Sequence, residues 1–197
     1  MSLILTTDSV EPKERLAYCN DMICATYVQP ETDAVQSDEF CGSIVTHSLP
    51  GMELSVVKSS AQKVLRTPRV ISRSTDDCFI VSLQTQGQAI ISQDGRDAHM
   101  SPGDCCVYDS TRPYTLRFGS GFEEIVLKFR RDRIHALLGG TELLTATTVQ
   151  GHTGAGRVLF SLIHTLLNEV DRLRPAAAAA VANGVVNVLV AGLQSLP

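Results

Sequence analysis

The stretch from Phe79 to Phe118 constrains the fold of this chain more than any other part of its sequence. Three alternating or apolar runs are separated there by segments rich in Gly, Pro, Asp and Ser, which favour tight turns. The turn segments are Gln93-Asp94-Gly95-Arg96, Ser101-Pro102-Gly103-Asp104 and Ser110-Thr111-Arg112-Pro113. The stretch therefore predicts successive antiparallel strands of a small barrel, an architecture that can enclose a ligand.

Length and charge limit the kind of protein to which such a barrel can belong. The chain has 197 residues, 44% of them hydrophobic, which suits one core with a helical appendage better than two independent domains. A formal net charge of -4 argues against nucleic-acid binding over a broad surface, because phosphates require a clustered positive field. No basic, apolar leader opens the sequence, and no run of about 18 apolar residues occurs. We therefore expect a cytoplasmic protein without a membrane partner.

The sequence on either side of the barrel predicts helices. Pro12 and the spacing of Leu16 and Ile23 favour a helix from Glu11 to Gln29. The other predicted elements, in chain order, are a polar loop from Thr32 to Glu39, strands from Phe40 to about Phe129, a helix from Arg133 to Leu138 that stops at Gly139-Gly140, a β-like piece from Thr145 to Val149, and helices from Thr153 to Leu173 and from Ala176 to Leu196. The predicted fold is α+β: residues 1–39 form a helix and arm, residues 40–150 an antiparallel jelly-roll barrel, and residues 151–197 a pair of dimerisation helices.

The first of the two long helices carries an apolar stripe. Its members recur at steps of three and four residues: Leu159, Leu162, Ile163, Leu166 and Val170. This spacing is typical of a helix that pairs with a second copy across a two-fold axis, and we expect a homodimer formed through it. The same spacing fits a helix that packs only on its own barrel, so both alternatives remain open.

The last predicted strand, from Phe122 to Phe129, has two different faces. Ile125 and Leu127 lie on one face, which we expect to belong to the core. Glu124 and Lys128 lie on the other, which could contact either solvent or a polar lumen. Alternation by itself does not separate these two possibilities.

The residues that would make such a barrel a metalloenzyme are missing. A metal-dependent cupin barrel needs histidines and carboxylates that converge from adjacent strands, commonly with a His-x-His pair. The five histidines of this chain, with no two within four residues of one another, are His47, His99, His135, His152 and His164. A Gly-x-Ser-x-Gly nucleophile motif and a phosphate-binding glycine loop are also absent from the sequence. We expect no metal, no cofactor and no catalytic residue.

The six cysteines favour reduced and mostly buried thiols. They form no Cys-x-x-Cys pair, and none has a histidine at zinc-finger spacing. The adjacent Cys105 and Cys106 lie on a predicted strand, where neighbouring side chains point to opposite faces. The two thiols are therefore not expected to converge on one ligand.

A barrel without metal ligands can still hold a small molecule with side chains alone. The candidates are polar or aromatic residues on strands that could face inward: Arg66, Gln84, Tyr108, Tyr114 and Glu124. Each also has a structural interpretation. Arg66 could anchor a strand edge, the tyrosines could be core aromatics, and Glu124 could be solvated.

Taken in order, these signals resemble the N-terminal effector-binding domain of the AraC/XylS transcriptional regulators, in its AraC-binding-like variant. The matching segments are Arg15 to Ile23, Phe40-Cys41-Gly42, Val64-Leu65-Arg66-Thr67-Pro68, Leu83-Gln84 with Gly87, Gln93-Asp94-Gly95-Arg96, Pro102-Gly103-Asp104, Tyr108-Asp109-Ser110 with Arg112-Pro113-Tyr114, Leu127 to Arg131, and the paired helices. The resemblance covers nearly the whole chain and implies a cupin-like barrel that binds a small-molecule effector.

The resemblance also implies positions for effector contacts. From Phe79 to Asp104 the sequence aligns without a gap with the barrel of the arabinose-responsive regulator. Carried further, the overlay places Tyr114 and Leu116 on a strand that contributes sugar contacts there, and Glu124 near another, after a short gap. The sugar-binding residue types are not kept, so an aromatic or other small organic molecule is at least as good an expectation as a sugar.

Regulators of this family bind DNA through a pair of helix-turn-helix motifs, and this sequence ends at Pro197 without one. The resemblance thus implies the sensing and dimerisation domain of a transcriptional regulator, with DNA contacted only through a further domain. Two alternatives remain: a metal-dependent isomerase or dioxygenase with an unusual ligand set, and an interaction module whose barrel is filled by its own side chains.

Overall fold

The strands of this protein form two antiparallel sheets that face each other. In the computed structural model, the described residues are 2–27, 31–33, 40–138 and 144–196. The strands in that part of the chain are β1 (Ser2–Thr6), β2 (Glu31–Asp33), β3 (Gly42–Leu49), β4 (Met52–Ser59), β5 (Gln62–Arg66), β6 (Cys78–Gln86), β7 (Ala89–Gln93), β8 (Arg96–Met100), β9 (Cys105–Asp109), β10 (Tyr114–Phe118) and β11 (Phe122–Arg130). Their order is β1-β3-β4-β11-β6-β9 in one sheet and β2-β5-β10-β7-β8 in the other. The fold is the expected α+β class, with a cupin-like barrel.

The predicted turns connect the strands where the sequence placed them. Between β7 and β8, Asp94 has φ 53° and Gly95 has φ 74°. Two consecutive positive φ angles define the type I′ turn, whose twist matches that of a β-hairpin. At Gly87, also with positive φ, a side chain would meet the backbone oxygen of Gly121 at 2.7 Å from its Cβ. The strand-turn signals of this stretch thus have direct structural causes.

The helices are α1 (Arg15–Thr26), α2 (Pro68–Ile71), α3 (Arg131–Leu138), α4 (Gly154–Glu169) and α5 (Pro175–Gln194). All but α2 begin and end within a few residues of their predicted bounds. The short helix α2, which follows β5, was not predicted. The predicted β-like piece near Thr145 is reduced to a single bridge between Val149 and Cys105. The predicted stop at Gly139-Gly140, most of the Thr32–Glu39 loop and the predicted helix end at Gln29 lie outside the described residues.

The six-stranded sheet separates two hydrophobic cores. One core lies between this sheet and helices α4 and α5, and the other lies between the two sheets beneath α1. Cys105 belongs to the first core and the adjacent Cys106 to the second, so the prediction that the two thiols point to opposite faces is confirmed. Burial raises the pKa of Cys105 to about 12, and that of Cys106 as well, which keeps both thiols protonated and unreactive.

Strand β11 lies in the middle of the six-stranded sheet and contributes to both cores. It pairs with β4 on one side and β6 on the other. Ile125 and Leu127 pack in the helical core, as expected, whereas Val126 packs in the core between the sheets. The polar face of this strand therefore points into the barrel lumen.

By length and composition α5 is apolar enough to cross a bilayer. In the structure it packs on the barrel, with Val185, Leu189 and Leu193 almost completely buried. It therefore behaves as the core helix of a globular domain.

Candidate functional site

A small cavity lies between the two sheets and is covered by the C-terminal end of α1. Its free volume is about 40 Å³, which is room for only a few water molecules and well below the roughly 150 Å³ of a cavity that binds benzene. The lining residues are Ile23, Tyr27, Val57, Gln62, Val64, Ile80, Tyr108, Tyr114, Leu116, Phe118, Phe122, Glu124 and Val126. A mostly apolar wall with a few polar groups is typical of a small-molecule site.

Glu124 is the acidic residue of this wall. Its side chain is buried, and the Ser82 hydroxyl donates a hydrogen bond to Oε2. Burial raises the pKa of Glu124 from 4.5 to about 7, an effect that the Ser82 hydrogen bond partly offsets. None of the described residues that line the cavity is Lys, Arg or His. A buried carboxylate without a neighbouring cation is costly, so a positively charged or hydrogen-donating partner would stabilise it.

Three tyrosines surround this carboxylate. The rings of Tyr108 and Tyr114 meet edge to face, with centroids 4.8 Å apart, and Tyr27 enters from the end of α1. Burial raises the pKa of Tyr27 and Tyr108, and the nearby Glu124 charge adds to the effect. All three phenols are therefore neutral at physiological pH and can both donate and accept hydrogen bonds.

Gln62 adds an unsatisfied polar atom to the same wall. It is the first residue of β5 and is 6% exposed. Its Oε1 has no hydrogen-bond partner among the described residues. Buried polar atoms usually have partners, so an unpaired acceptor beside a cavity indicates a place for a ligand donor.

The sequence-predicted site residues fall into two groups. Tyr108, Tyr114, Leu116 and Glu124 line the cavity. Arg66 and Gln84 are also completely buried but are not among its lining residues. The structure thus brings four of the six predicted residues together, while their role in binding stays a prediction.

Arg66 and Gln84 have structural contacts instead. Arg66 Nε donates to the backbone oxygen of Ser110 at 3.2 Å, and its guanidinium lies 3.8 Å from Asp76. Gln84 Nε2 donates to the backbone oxygen of Gln86 at 2.7 Å. Both residues share the inward face of their strands, but their polar ends turn to the backbone at the ends of the barrel. Neither residue therefore lines this cavity, and a role for them in ligand binding stays a prediction.

The sequence reasoning missed Tyr27, Gln62 and Ser82. Ser82 precedes Gln84 by two residues on β6, so it shares the inward face on which Gln84 was sought. Gln62 likewise shares the face of Arg66 on β5. Period-two spacing could have identified these two residues. Tyr27 follows the last residue of a helix, where no periodicity assigns its direction.

Lys128 ties the end of α1 to the barrel. Its ammonium donates to the backbone oxygen of Thr26 at 3.1 Å and pairs with Glu53 at 2.8 Å. A cation at the C-terminus of a helix is favourable because the helix dipole places partial negative charge there. Thr26 directly precedes Tyr27, so this contact holds the tyrosine over the cavity.

A second buried acid, Asp109, has a structural environment. Burial would raise its pKa, but hydrogen bonds from the Thr111 backbone and hydroxyl, together with the charge of Arg131, outweigh burial and lower it. Arg131 lies 2.7 Å and Arg112 3.1 Å from Asp109 Oδ2. This network fastens the β9–β10 connection to the start of α3.

Over the described residues, no group of three or more His, Cys, Asp and Glu side chains has an arrangement suited to a metal ion. His47 lies on β3 and contacts Asp171 at 3.4 Å, outside the lumen. His99 is exposed on β8, and His164 is exposed on α4. The donor set of this barrel lumen is one carboxylate with hydroxyl and amide groups.

The predicted dimerisation stripe is divided by the structure. Leu159, Ile163 and Leu166 are buried in the core between α4, α5 and the six-stranded sheet. They cannot form a surface for a second copy, and their assignment to the interface is corrected. Leu162 and Val170 are only partly buried, and Val158, one turn before Leu162, is 56% exposed. An apolar margin of α4 therefore remains accessible.

The fold is a cupin-like barrel with a small lined cavity and appended helices. Over residues 19–194 the chain matches the family described as AraC-binding-like domain. This match covers most of the sequence, and the chain belongs to the AraC-binding-like domain family. Its resemblance to AraC/XylS transcriptional regulators is thereby confirmed.

Individual relatives agree with this assignment. The chain is 39% identical over 170 residues to the "Uncharacterized protein in nit 5'region" of Bacillus sp. (strain OxB-1), covering 86% of this chain and 65% of that one. It is 26% identical over 144 residues to the transcriptional activator NphR of Rhodococcus sp., covering 72% and 43%. The chain thus spans less than two thirds of either relative.

A solved structure supports the fold. The crystal structure of the AraC-like transcriptional activator CuxR superposes with a TM-score of 0.87 at 15% sequence identity. The superposition covers 100% of this chain and 71% of that chain. At this identity the similarity establishes the architecture of the barrel and its helices, and the binding residues must be argued from this chain itself.

Proposed function

We propose that this chain is the effector-sensing and dimerisation region of a cytoplasmic AraC-type transcriptional regulator. A small organic molecule binds in the barrel lumen, without a metal or other cofactor, and no reaction is catalysed there. DNA is contacted through a separate helix-turn-helix region of the regulator. The domain division into arm (residues 1–39), barrel (40–150) and dimerisation helices (151–197) is part of this proposal.

The observation that carries the proposal is a lined cavity that holds a buried acid and an unpaired amide oxygen. Among the described residues that line the cavity, none is a cation that could pair with Glu124, and Gln62 Oε1 has no hydrogen-bond partner among the described residues. A barrel that served only as a scaffold would gain stability from apolar residues at these positions. A metal-dependent enzyme would need a converging set of ligands, and no such set occurs among the residues that the structure describes.

The small free volume bears on how an effector would act. A molecule of aromatic size exceeds about 40 Å³, so its entry must displace a wall element. The end of α1 is the wall element that is not part of either sheet. An effector that binds better when α1 has moved shifts the population toward that state, and this change reaches the rest of the regulator.

Dimerisation is proposed through the accessible margin of α4, around Val158 and Leu162. Support comes from their exposure and from the neighbouring α5, which contains no charged residue from Pro175 to Gln194. A helix surface without charge is unusual for a face that meets only water. A second copy of the chain is the occupant that family membership favours.

A thermal-shift screen with a matched cavity-filling variant tests the sensing function. Amines, alcohols, amides, carboxylic acids and sugars are added to the purified chain, and to the double variant Val57→Ile, Val126→Ile. Each substitution adds one methylene to the lumen wall, which fills free space and leaves the fold intact. We expect at least one compound class to raise the melting temperature of the wild type, and not that of the variant.

Stabilisation of both proteins by the same compounds would place binding outside the lumen. A complete absence of stabilisation would favour the barrel filled by its own side chains. Stoichiometric iron, manganese or zinc in the purified protein would instead support a metal-dependent enzyme.

A further inference from the structure

We propose that the barrel selects a small amine, whose ammonium group pairs with the Glu124 carboxylate and whose apolar body occupies the rest of the cavity. This inference rests on the proposed sensing function and adds the chemical class of the effector. It follows from the charges of the lining residues and from the geometry around Glu124.

The charge of the cavity wall favours a cation. Glu124 is the ionisable acid of the lining, and the described lining contains no basic residue. The Ser82 hydroxyl donates a hydrogen bond to Oε2 of this carboxylate, but it carries no charge. A carboxylate ligand would bring two acids into one apolar space, which strongly disfavours ionisation of both. An ammonium ion instead supplies the opposite charge together with hydrogen-bond donors.

A neutral donor is a weaker match than an amine. Hydrogen bonds between charged groups are roughly twice as strong as those between neutral groups, and the difference grows where water is excluded. The rings of Tyr27 and Tyr108 lie close enough for the Glu124 charge to act on their hydroxyls. Phenol oxygens can accept the remaining ammonium hydrogens, and aromatic faces attract cations.

The remainder of the wall sets the body of the ligand. Val57, Val64 and Leu116 present aliphatic surface, and Phe118 and Phe122 stack at a centroid distance of 3.6 Å. Such a wall offers no partners for the several hydroxyls of a sugar. The ligand is therefore a short aliphatic or aromatic amine with one polar end.

Isothermal titration calorimetry with matched ligands tests this inference. Benzylamine, benzyl alcohol and benzoate share a ring and differ at the polar end; propylamine, propanol and propionate repeat the comparison at smaller size. The proteins are the intact wild-type chain, Glu124→Gln, and the control Glu123→Gln. Glu123 is the adjacent acid, which pairs with Lys58 at 2.8 Å and does not line the cavity.

In each series we expect the amine to bind best, the alcohol about tenfold or more weakly, and the carboxylate without measurable heat. Glu124→Gln lowers amine affinity by about tenfold or more and leaves the alcohol within about threefold. Glu123→Gln changes neither the affinity for the amine nor the affinity for the alcohol. Two results overturn the amine inference: Glu124→Gln still prefers the amine, or the wild type binds the carboxylate as tightly as the amine. Either result leaves the proposed sensing function standing, because the lumen still binds a ligand.

Absence of binding by all six compounds also overturns it. The wider thermal-shift screen with the cavity-filling variant then decides separately whether the lumen senses another class of molecule.

Discussion

Two buried carboxylates in this protein show how neighbours decide the behaviour of an acid. Glu124 lies in the lumen with a hydroxyl donor and, among the described lining residues, without a cation, and burial raises its pKa to about 7. Asp109 is just as inaccessible to solvent, but it accepts hydrogen bonds from Thr111 and faces Arg112 and Arg131, so its pKa is lowered. Asp109 is thus an internally satisfied structural group, whereas Glu124 lacks a compensating partner.

The raised pKa of Glu124 predicts a pH-dependent stability. Below about pH 4.5 the carboxyl is protonated in both folded and unfolded chains. Between about pH 4.5 and pH 7 the unfolded chain loses this proton and the folded chain keeps it, so the free energy of unfolding falls as pH rises. Glu124→Gln removes this loss, and its stability relative to wild type should grow by about 2 kcal/mol from pH 5 to pH 8.

Urea denaturation of both proteins at pH 5, 6, 7 and 8 measures this difference. A stability difference that stays constant over the four pH values would show that Glu124 is not the buried, uncompensated acid described above.

At the scale of elements, the end of α1 covers the lumen. Ile23 and Tyr27 line the cavity, and Lys128 donates a hydrogen bond to the backbone oxygen of the adjacent Thr26. A side chain of the barrel thus holds the part of the cavity wall that we propose moves when an effector enters.

Loss of the Lys128 contact should loosen this cover. Lys128→Met keeps the apolar stem and removes the ammonium, so we expect the Tyr27 amide, bonded to the Ile23 oxygen, to exchange hydrogen about tenfold faster. Lys58→Met, which breaks the exposed pair with Glu123, serves as a matched control without this effect. Hydrogen exchange followed by mass spectrometry measures both. Equal protection of α1 in wild type and Lys128→Met would contradict the restraint.

Helix α4 illustrates why a dimer surface must be chosen by burial. A charge at Leu166 would unfold the chain, because this residue is 4% exposed inside the core. Val158 is 56% exposed, so Val158→Asp leaves the monomer intact. We expect this variant to sediment as a monomer at concentrations where wild type is dimeric. His164→Asp places the same charge about 120° around the exposed side of the helix and should remain dimeric. A dimeric Val158→Asp protein would exclude this margin of α4.

At the scale of the whole molecule, β11 connects the proposed ligand site with the proposed dimer helices. Glu124 and Val126 face the lumen, while Ile125 and Leu127 pack in the core that contains α4 and α5. Alternating side chains of one strand therefore contact both layers. We propose that a ligand that shifts this strand acts on the helices through these packed side chains.

The sequence was informative about the barrel because its turns have strict local requirements. Asp94-Gly95 adopts the two positive φ angles of its turn, and the period-two runs became strands. Strand β1 was not predicted, because its apolar residues do not alternate with polar ones. In the structure, its residues Leu3 and Ile4 are 55% and 65% exposed. Its pairing with β3 is a long-range contact that short-range patterns do not encode.

The site was predictable only in part for a similar reason. Alternation identifies the inward face, so Tyr108, Tyr114 and Glu124 were found. Alternation does not show where the polar end of a long side chain lies. Arg66 starts on the inward face of its strand, but its guanidinium donates to the backbone oxygen of Ser110. The spacing of α4 was equally ambiguous, because an apolar stripe has the same period whether its own core or a second copy covers it.

Methyl NMR shows directly whether the lumen of this barrel binds the effector. The chain is labelled at its valine methyls and titrated with the compound that stabilises it most in the thermal-shift screen. Lumen methyls are those of Val57, Val64 and Val126, and helix-side methyls include those of Val81 and Val107. We expect the lumen methyls to shift most and to show contacts to the ligand. Unchanged lumen methyls, with the largest shifts elsewhere in the protein, would contradict it.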